Sequence, residues 1–304
     1  MYRTFVIARH TFTESLVQPI YALLLAFGAV ILGIFALLPF FTLGEDTLMF
    51  KSVALDVILL LVLIVTLFAT SRSIFEEIED RTMLTLMSKP VQKWEVLVGK
   101  YLGIILAAAL AVAVLGLILL LCTWWRLPGD YQIRASSIDE GELRRLREMR
   151  LMHIAGLIPS LLLMWLQISV LAAVGVALST RFSLVVNLPV VLLIYVAGNL
   201  TRFVFPLTGQ GAPLGDRSVI TKGIAYVIST LLPFLETFDL RQKTVYSTIK
   251  LAGTMYAADP RGVGVGEIWG YVGVATIYAI CYAAFALAAG MWLFQGRELG
   301  GSEG

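Results

Sequence analysis

Six stretches of nearly uninterrupted apolar residues constrain this chain more than any other feature. They are residues 19–41, 53–70, 96–122, 154–179, 184–205 and 268–294. A bilayer core about 30 Å thick requires roughly 20 helical residues to cross it, and each stretch meets or approaches that length. Only 14% of the 304 residues are charged, against about 25% in soluble domains. The sequence predicts an all-α polytopic membrane protein with six transmembrane helices.

The first 18 residues precede span one and mix large apolar side chains with charges. The apolar members are Phe5, Ile7, Phe12, Leu16 and Val17, and the charged ones are Arg3, Arg9 and Glu14. This mixture is typical of an amphipathic helix in the plane of the membrane surface. The alternative is an ordinary solvated leader. Residues 19–304 then form one six-span domain.

The charges flanking span one indicate the orientation of the chain. Arg3 and Arg9 precede this span, whereas Glu45, Asp46 and Lys51 follow it. Short cytoplasmic flanks carry an excess of Lys and Arg, and the first helix usually dominates. Six crossings place both termini on one side, so we expect both in the cytoplasm of a multi-pass protein of the cell membrane.

Two long loops would then face outward. Residues 123–153 contain "SSIDEGELRRLREMR", in which Ser137 and Glu140 form a capping-box pattern for an exposed helix. The alternative reading of this helix is a docking site for an external partner or an anionic lipid. Residues 206–267 include residues 219–238, which Pro233 interrupts. We interpret that stretch as an outward re-entrant segment, because buried irregular backbone is tolerated at membrane depth.

No signature of catalysis, nucleotide binding or metal binding stands out. The chain lacks G-x-x-x-x-G-K-[ST], G-x-S-x-G and H-E-x-x-H patterns. Its two histidines, His10 and His153, are far apart. We therefore predict no catalytic residue, no cofactor and no metal. A net charge of +2 does not suggest a nucleic-acid partner.

Charged residues are also scarce within the spans, which bears on the source of energy. Asp56 and Lys100 lie there, each near an end, and we expect Lys100 to snorkel to the interface. A charge at mid-bilayer costs about 2.5–3.5 kcal/mol and is normally kept for ion or proton coupling. A secondary transporter would usually carry more such groups. Any transport by this chain should draw its energy from elsewhere.

Three uncharged polar residues occur deep in the spans, namely Gln167, Asn187 and Asn199. They form hydrogen bonds between helices or, alternatively, line a translocation path. Small-residue spacings such as Gly99-xxx-Gly103 allow helices to approach closely and weakly suggest a dimer interface.

The segment between spans two and three is densely charged and reads as a helix over residues 74–88. Acidic residues occupy its first turns, where the helix dipole favours them. Pro90 ends it by pushing Lys89 away from helical angles. A helix with apolar and charged faces at the cytosolic surface either docks into a groove of another protein or rests on lipid.

The stretch "EIEDRTMLTLMSKPVQKWEVLVGKYLG" resembles the loop after the second span in ABC transporter permeases of the type-2 exporter class. The matching residues are Glu77, Glu79, Thr82, Leu86, Ser88, Lys89, Pro90, Glu95, Gly99 and Lys100. Arg81 stands where glycine is frequent, and Met83 where leucine is. The later stretch "LLPFLETFDLRQ" is similar to the subgroup that includes the nitrous-oxide-reductase maturation permease.

The resemblance implies a non-catalytic permease subunit with an N-terminal elbow helix and a cytosolic coupling helix. That helix would sit in a cleft of a separate P-loop ATPase, which binds the ATP. The implied coupling residues are Glu77, Glu79, Arg81, Thr82, Leu86 and Pro90. Further implied partners are a second permease copy or a related permease, and membrane lipid. The rivals to an exporter are a membrane scaffold or maturation factor and, more remotely, a secondary transporter or channel.

Overall fold

The computed structural model of the protein describes residues 2–38, 46–79, 92–130, 140–204 and 232–295. Its long helices are α1 (Tyr2–Val17), α2 (Pro19–Leu37), α3 (Asp46–Glu79), α4 (Lys93–Asp130), α5 (Glu140–Ser179), α6 (Leu184–Val204) and, after a short helix described below, α8 (Val265–Gln295). Five of them, α2, α3, α4, α5 and α8, are long and apolar enough to cross a membrane. Helix α6 contains a shorter apolar stretch, Leu184–Asn199. The mainly helical, multi-span architecture is therefore confirmed, while the count of six crossings stays a prediction.

Helices α3 and α5 form the centre of the bundle. In their most apolar stretches 67% and 72% of the residues are buried, against 22% in α2 and 28% in α8. The central helices supply fully buried side chains such as Leu63, Leu67 and Leu163. The two outer helices expose apolar sides to the surroundings, as expected for surfaces that meet lipid.

Several helices extend well beyond the predicted spans. Helix α3 runs from Asp46 to Glu79, against the predicted 53–70, and α4 covers Lys93–Asp130, against 96–122. Helix α5 starts at Glu140, so most of the predicted outer loop 123–153 is helix. Hydropathy locates only the apolar part of a helix. The polar continuations persist because their charges are paired, as in the 3.0 Å contact between Arg144 and Glu148.

Span one ends earlier than predicted. Helix α2 ends at Leu37 rather than at residue 41, and Leu38 caps it in an extended conformation. Arg126 of α4 closes this helix end by donating hydrogen bonds to the carbonyl oxygens of Phe35, Ala36 and Leu38 at 3.0, 3.1 and 3.0 Å. A cation at these unpaired carbonyls also complements the helix dipole.

The bundle has two distinct ends. At the end we call the terminal end, α1 packs beside the start of α4, and Lys93 lies 5.1 Å from the ring centroid of Phe294 near the end of α8. At the opposite end, the far end, α2 finishes beside the last turns of α4. Helix α1 and the last turn of α8 therefore lie at the same end of the molecule.

Helix α1 is present as predicted, but a different face of it packs inward. Its buried residues are Thr4, Ala8, Thr11 and Ser15, whereas Phe5 and Val17 are largely exposed. The close approach depends on α4: a Cβ added to Gly103 would lie 2.5 Å from the Ala8 oxygen. The Gly99-xxx-Gly103 pair therefore packs α1 within one chain, which corrects its reading as a dimer contact.

The described stretch between α6 and α8, residues 232–264, covers part of the far end, and we call it the α7 segment. It contains 3-10 turns at Leu235–Phe238 and Met255–Ala258, and a one-turn helix α7 (Arg241–Thr244). The short strands β1 (Ile249–Lys250) and β2 (Val263–Gly264) pair in parallel. Residues 205–231, which include most of the predicted re-entrant segment, lie outside the described residues.

Candidate functional site

A polar cavity opens among α3, α5, α6 and the segment that carries α7. Its volume is about 90 Å³. The polar residues that line it are Asp56, Ser160, Gln167, Tyr195, Asn199, Asp239 and Arg241. Such a concentration of polar side chains is unusual in a chain with so few charges in its apolar helices. It makes the cavity the strongest candidate for a substrate path in the described part of the chain.

An ion pair between Asp56 and Arg241 closes one side of this cavity. The Asp56 Oδ1 atom lies 2.5 Å from Nη2 of Arg241, and Asp239 Oδ1 lies 3.6 Å from its Nε. Burial disfavours the guanidinium charge, but the hydrogen bond and charge of Asp56, with Asp239, raise the pKa of Arg241 above its ordinary value. The pair ties α3 to a segment far along the chain.

The structure brings two of the three predicted path residues together. Gln167 of α5, which is 5% exposed, and Asn199 of α6 both line the cavity. Asn199 also donates to the carbonyl oxygen of Tyr195 at 2.8 Å, within its own helix. Both residues therefore line the same cavity, and their role in a translocation path stays a prediction.

The third residue, Asn187, occupies a different place. It is fully buried and donates to Ser179 Oγ at 2.7 Å and to the carbonyl oxygen of Gly175 at 3.3 Å. Thr70 of α3 lies 3.5 Å away. Asn187 does not line the cavity. Its contacts match the other interpretation given for these residues, hydrogen bonds between helices.

The α7 segment is held against α5 at close range. A Cβ added to Gly156 would lie 2.0 Å from the Thr244 carbonyl oxygen, so only glycine permits this approach. Ser160 donates a hydrogen bond of 2.7 Å to Thr244 Oγ1. Beside it, Lys51 Nζ lies 2.8 Å from His153 Nδ1 and 3.5 Å from the carbonyl oxygen of Val245. The segment therefore covers the cavity and is fastened to both central helices.

The terminal end of α3 carries a second charged cluster. Lys100 Nζ lies 2.6 Å from Glu77 Oε1 and donates to Ser73 through its Oγ at 3.2 Å and also through its carbonyl oxygen. Lys100 is 3% exposed. The expectation that it snorkels to the interface is wrong, because Glu77 and Ser73 satisfy its charge inside the protein.

The predicted coupling helix begins differently from the expectation. Residues 74–79 do not start a separate helix but continue α3 without a break, through a π-helical stretch at Ser71–Glu76. Glu77 is partly buried in the Lys100 cluster, and Glu79 is exposed. The other predicted coupling residues, Arg81, Thr82, Leu86 and Pro90, lie outside the described residues.

Sequence reasoning missed several polar residues that matter. Arg241 and Tyr195 were not singled out, because their value comes from meeting Asp56 and Asn199 across the fold. Lys51 lay just outside the predicted second span and yet is fully buried. A usable signal was present: Asp56 in an apolar run needs a cation, and Arg241 is among the few basic residues near a predicted apolar segment.

The bundle of long apolar helices is that of a multi-pass membrane protein, and it encloses a polar cavity. The family model described as ABC-2 family transporter protein matches residues 6–299, and the chain belongs to this family. It is thus a permease component of an ABC transporter, a class that works with ABC ATPase subunits. The match does not reach the finer subgroup to which "LLPFLETFDLRQ" is similar. No curated protein matches the chain.

Proposed function

We propose that this chain is the permease subunit of an ATP-driven exporter in which α3 transmits movement from the ATPase to the polar cavity. One observation carries the proposal. Helix α3 holds Glu77, paired with Lys100, near one end and Asp56, paired with Arg241, toward the other. Asp56 and Glu79 are separated by about 34 Å of helix at 1.5 Å per residue. A movement applied at one pair therefore reaches the other through a single rigid element.

The terminal end is the proposed docking site for the ATPase. Exposed Glu79 lies there, and residues 80–91, with Arg81, Thr82, Leu86 and Pro90, follow it directly. We place this end and both termini in the cytoplasm. The chain itself makes and breaks no bond. ATP is bound and hydrolysed by the partner, and the permease converts the resulting displacement into a change at the cavity.

At the far end, the proposed consequence is separation of Asp56 from Arg241. When this contact opens, the α7 segment no longer closes the cavity, and Gln167, Asn199 and Tyr195 become accessible to a polar group of the substrate. The pair suits this role because Asp56 is 56% exposed and Arg241 21%. Ion pairs that water reaches are weak, about 0–1 kcal/mol, so a modest displacement is sufficient to part them.

A second permease chain completes the proposed assembly with two ATPase subunits. The sides of α2 and α8 that expose Leu23, Phe27, Val274 and Ile277 are available to lipid or to such a second copy. The second copy would cover part of this exposed surface, and lipid would contact the rest.

The docking proposal is tested by reversing one charge at each end of the molecule. Glu79→Lys in the full chain, co-reconstituted with its ATPase in proteoliposomes, should reduce the permease-dependent stimulation of ATP hydrolysis at least about tenfold, which corresponds to about 1.4 kcal/mol of lost coupling. Glu142→Lys is the matched control, because Glu142 is also an exposed acid, at the start of α5. Normal stimulation by the Glu79 variant would refute the docking role of this acidic end.

A second candidate function is a scaffold that presents the ATPase to an enzyme on the outer face. The observation in its favour is the polar extension of α5, where Arg144, Arg145 and Arg147 are exposed. Cysteines at positions 160 and 244 (Ser160→Cys and Thr244→Cys), where the two hydroxyl oxygens lie 2.7 Å apart across the cavity closure, distinguish the two in a chain whose Cys122 and Cys281 are replaced by alanine. Oxidation should abolish ATPase stimulation in a transporter, and reduction should restore it. A scaffold would keep its activity when the cavity is locked.

A further inference from the structure

A buried lysine and a buried histidine meet where the α7 segment rests on the two central helices. Lys51 of α3 is 0% exposed and His153 of α5 is 5% exposed. Lys51 Nζ lies 2.8 Å from His153 Nδ1 and 3.5 Å from the carbonyl oxygen of Val245, the residue that follows α7. These contacts join α3, α5 and the α7 segment at one point, which we call the Lys51–His153 pair.

This pair has no carboxylate to balance its charge. Within the described ranges, no acidic side chain lies within ion-pair distance of Lys51, and Nε2 of His153 is buried without a hydrogen-bond partner. A protonated imidazole is a donor at both nitrogens. Here Nδ1 would face the ammonium group of Lys51, and Nε2 would face no acceptor in the described part of the chain. Two positive charges this close repel strongly in a buried site, so the closed site holds at most one.

The other charged and titratable groups on the elements around the pair do not offset this repulsion. Helix α2 contains no charged residue. The nearest groups on the remaining elements are Asp46 and Asp56 on α3, Arg126 on α4, Glu148 and Arg150 on α5, and Asp239, Arg241, Lys243, Tyr246 and Lys250 on the α7 segment. The carboxylates among them already pair with arginines, as Asp46–Arg126, Asp56–Arg241, Asp239–Arg241 and Glu148–Arg144. Arg150 lies over the ring of Trp124, and Lys243 and Tyr246 are exposed.

We propose that the Lys51–His153 pair is a pH-sensitive latch, which holds the α7 segment on α3 and α5 and releases it when the far side is acidified. Lifting the segment exposes both side chains to water. There, lysine is already charged at neutral pH, and histidine binds a proton below its ordinary pKa of about 6.5.

The direction of the pH dependence follows from the number of protons bound in each state. Below about pH 6.5 the open site holds two positive charges and the closed site at most one, so acidification favours opening. Well above that pH, His153 is neutral in both states and adds no pH dependence. The latch concerns how the segment is fastened, and it does not depend on the proposed function or on the direction of transport.

The test measures how readily a buried side chain of the α7 segment reacts with a maleimide. Ile249, which is 1% exposed and packs on Gly156, is replaced by cysteine in a full chain whose Cys122 and Cys281 are alanine. Labelling rates in detergent micelles at about pH 7.5 and about pH 5.5 are divided by those of a Met255→Cys chain, because Met255 is 53% exposed. The normalised rate should rise about tenfold at the lower pH, as expected for one additional proton in the open state.

The two histidines of the chain supply the decisive variant and its matched control. His153→Asn keeps a hydrogen-bond acceptor for Lys51 but cannot be protonated, so the acid-induced rise should disappear. His10→Asn changes a histidine of α1 whose side chain is 78% exposed, and should leave the rise intact.

A second measurement covers the case in which His153→Asn does not fold. Nitrogen NMR of the otherwise unmodified chain, with isotope-labelled histidine, follows the protonation of His153, and His10→Asn assigns the two signals. The His153 ring should be neutral at about pH 7 and gain its proton over the same pH range in which Ile249→Cys becomes reactive.

Three results would overturn the proposal. The first is an equal normalised labelling rate at the two pH values, and the second is a tenfold rise that persists in His153→Asn. The third is a His153 ring that gains its proton while Ile249→Cys stays unreactive, since the closed site would then tolerate both charges. A failure of the docking proposal would leave these measurements unchanged, because they contain neither the ATPase nor ATP.

Discussion

The two ends of α3 each carry an ion pair, but the pairs are built differently. At the terminal end, the side chain of Lys100 is 4% exposed and that of Glu77 27%, and the two residues come from neighbouring segments of the chain. Toward the far end, Arg241 is 21% exposed and Asp56 56%, and the pair joins α3 to the α7 segment. The Glu77–Lys100 pair is largely buried and joins nearby segments, whereas the Asp56–Arg241 pair is partly exposed and joins distant parts of the chain.

This difference separates rigidity from mobility along one helix. An enclosed lysine without its carboxylate is a buried charge, so the Glu77–Lys100 cluster resists opening. A pair that water reaches loses little when it parts, because water replaces the lost contact. We therefore expect the Glu77–Lys100 pair to stay closed when the ATPase moves α3, and the Asp56–Arg241 pair to open.

The largest expected effect comes from breaking the enclosed pair on its acidic side. Glu77→Ala leaves Lys100 buried without a carboxylate and should lower the free energy of unfolding by about 3–5 kcal/mol. Lys100→Met should cost less, about 1–3 kcal/mol, because Glu77 can be hydrated. Thermal unfolding of the full chain in detergent micelles measures both. Equal midpoints for the two variants would contradict the asymmetry.

The packing of α1 at the terminal end gives the next largest effect. Gly103→Ala would bring a Cβ to 2.5 Å from the Ala8 oxygen and 2.7 Å from Thr11 Cβ. We expect a loss of about 1–3 kcal/mol, as for other overpacked sites, together with faster protease cleavage of α1. Gly273→Ala is the control: nothing lies within 4 Å of that position, so its unfolding midpoint should stay the same or rise. A midpoint for Gly103→Ala as high as that of the control would show that α1 does not depend on close contact.

The buried Asn187 cluster tests whether the centre of the bundle depends on polar contacts. Asn187→Ala removes the hydrogen bonds to Ser179 and to the Gly175 carbonyl, and should cost about 1–2 kcal/mol. Because Asn187 lies outside the cavity, ATPase stimulation should be unchanged at temperatures where the variant is folded. A loss of stimulation in a fully folded variant would place Asn187 on the path after all.

Substitutions in the Asp56–Arg241 pair should have the smallest effect on stability and the largest effect on function. Asp56→Asn should change the free energy of unfolding by about 0–1 kcal/mol. The same variant should uncouple the cavity and raise or abolish ATPase stimulation by the permease. The exchanged pair, Asp56→Arg with Arg241→Asp, should restore the wild-type rate. Unaltered stimulation in the Asp56→Asn chain would remove the far end from the proposed mechanism.

The positions of the apolar helices were largely predictable, because long apolar runs have few alternatives in a membrane. Their ends were not. Helix α5 begins at Glu140, well before the predicted residue 154, because Glu148 accepts a 2.8 Å hydrogen bond from the Met255 N–H and pairs with Arg144. That arrangement depends on a loop about a hundred residues later, which no hydropathy window contains.

The candidate site was predictable only in part. Gln167 and Asn199 were recognised because an amide is conspicuous in an apolar span. The same reasoning selected Asn187, whose amide instead donates hydrogen bonds to Ser179 and to the Gly175 carbonyl. Telling these cases apart requires knowledge of which helix faces which. Arg241 illustrates the reverse problem, since its role exists only through its contact with Asp56.

The π-helical stretch at Ser71–Glu76 lies between the two pairs of α3. A π turn accommodates one more residue than an α turn, and such turns are frequent at functional sites. Each residue of an α-helix advances the chain by about 100° around the axis. If this stretch returned to α-helical bonding, Glu77 and Glu79 would turn by about that angle relative to Asp56. Helix α3 would then present Glu77 and Glu79 to the partner at a different angle while Asp56 kept its place.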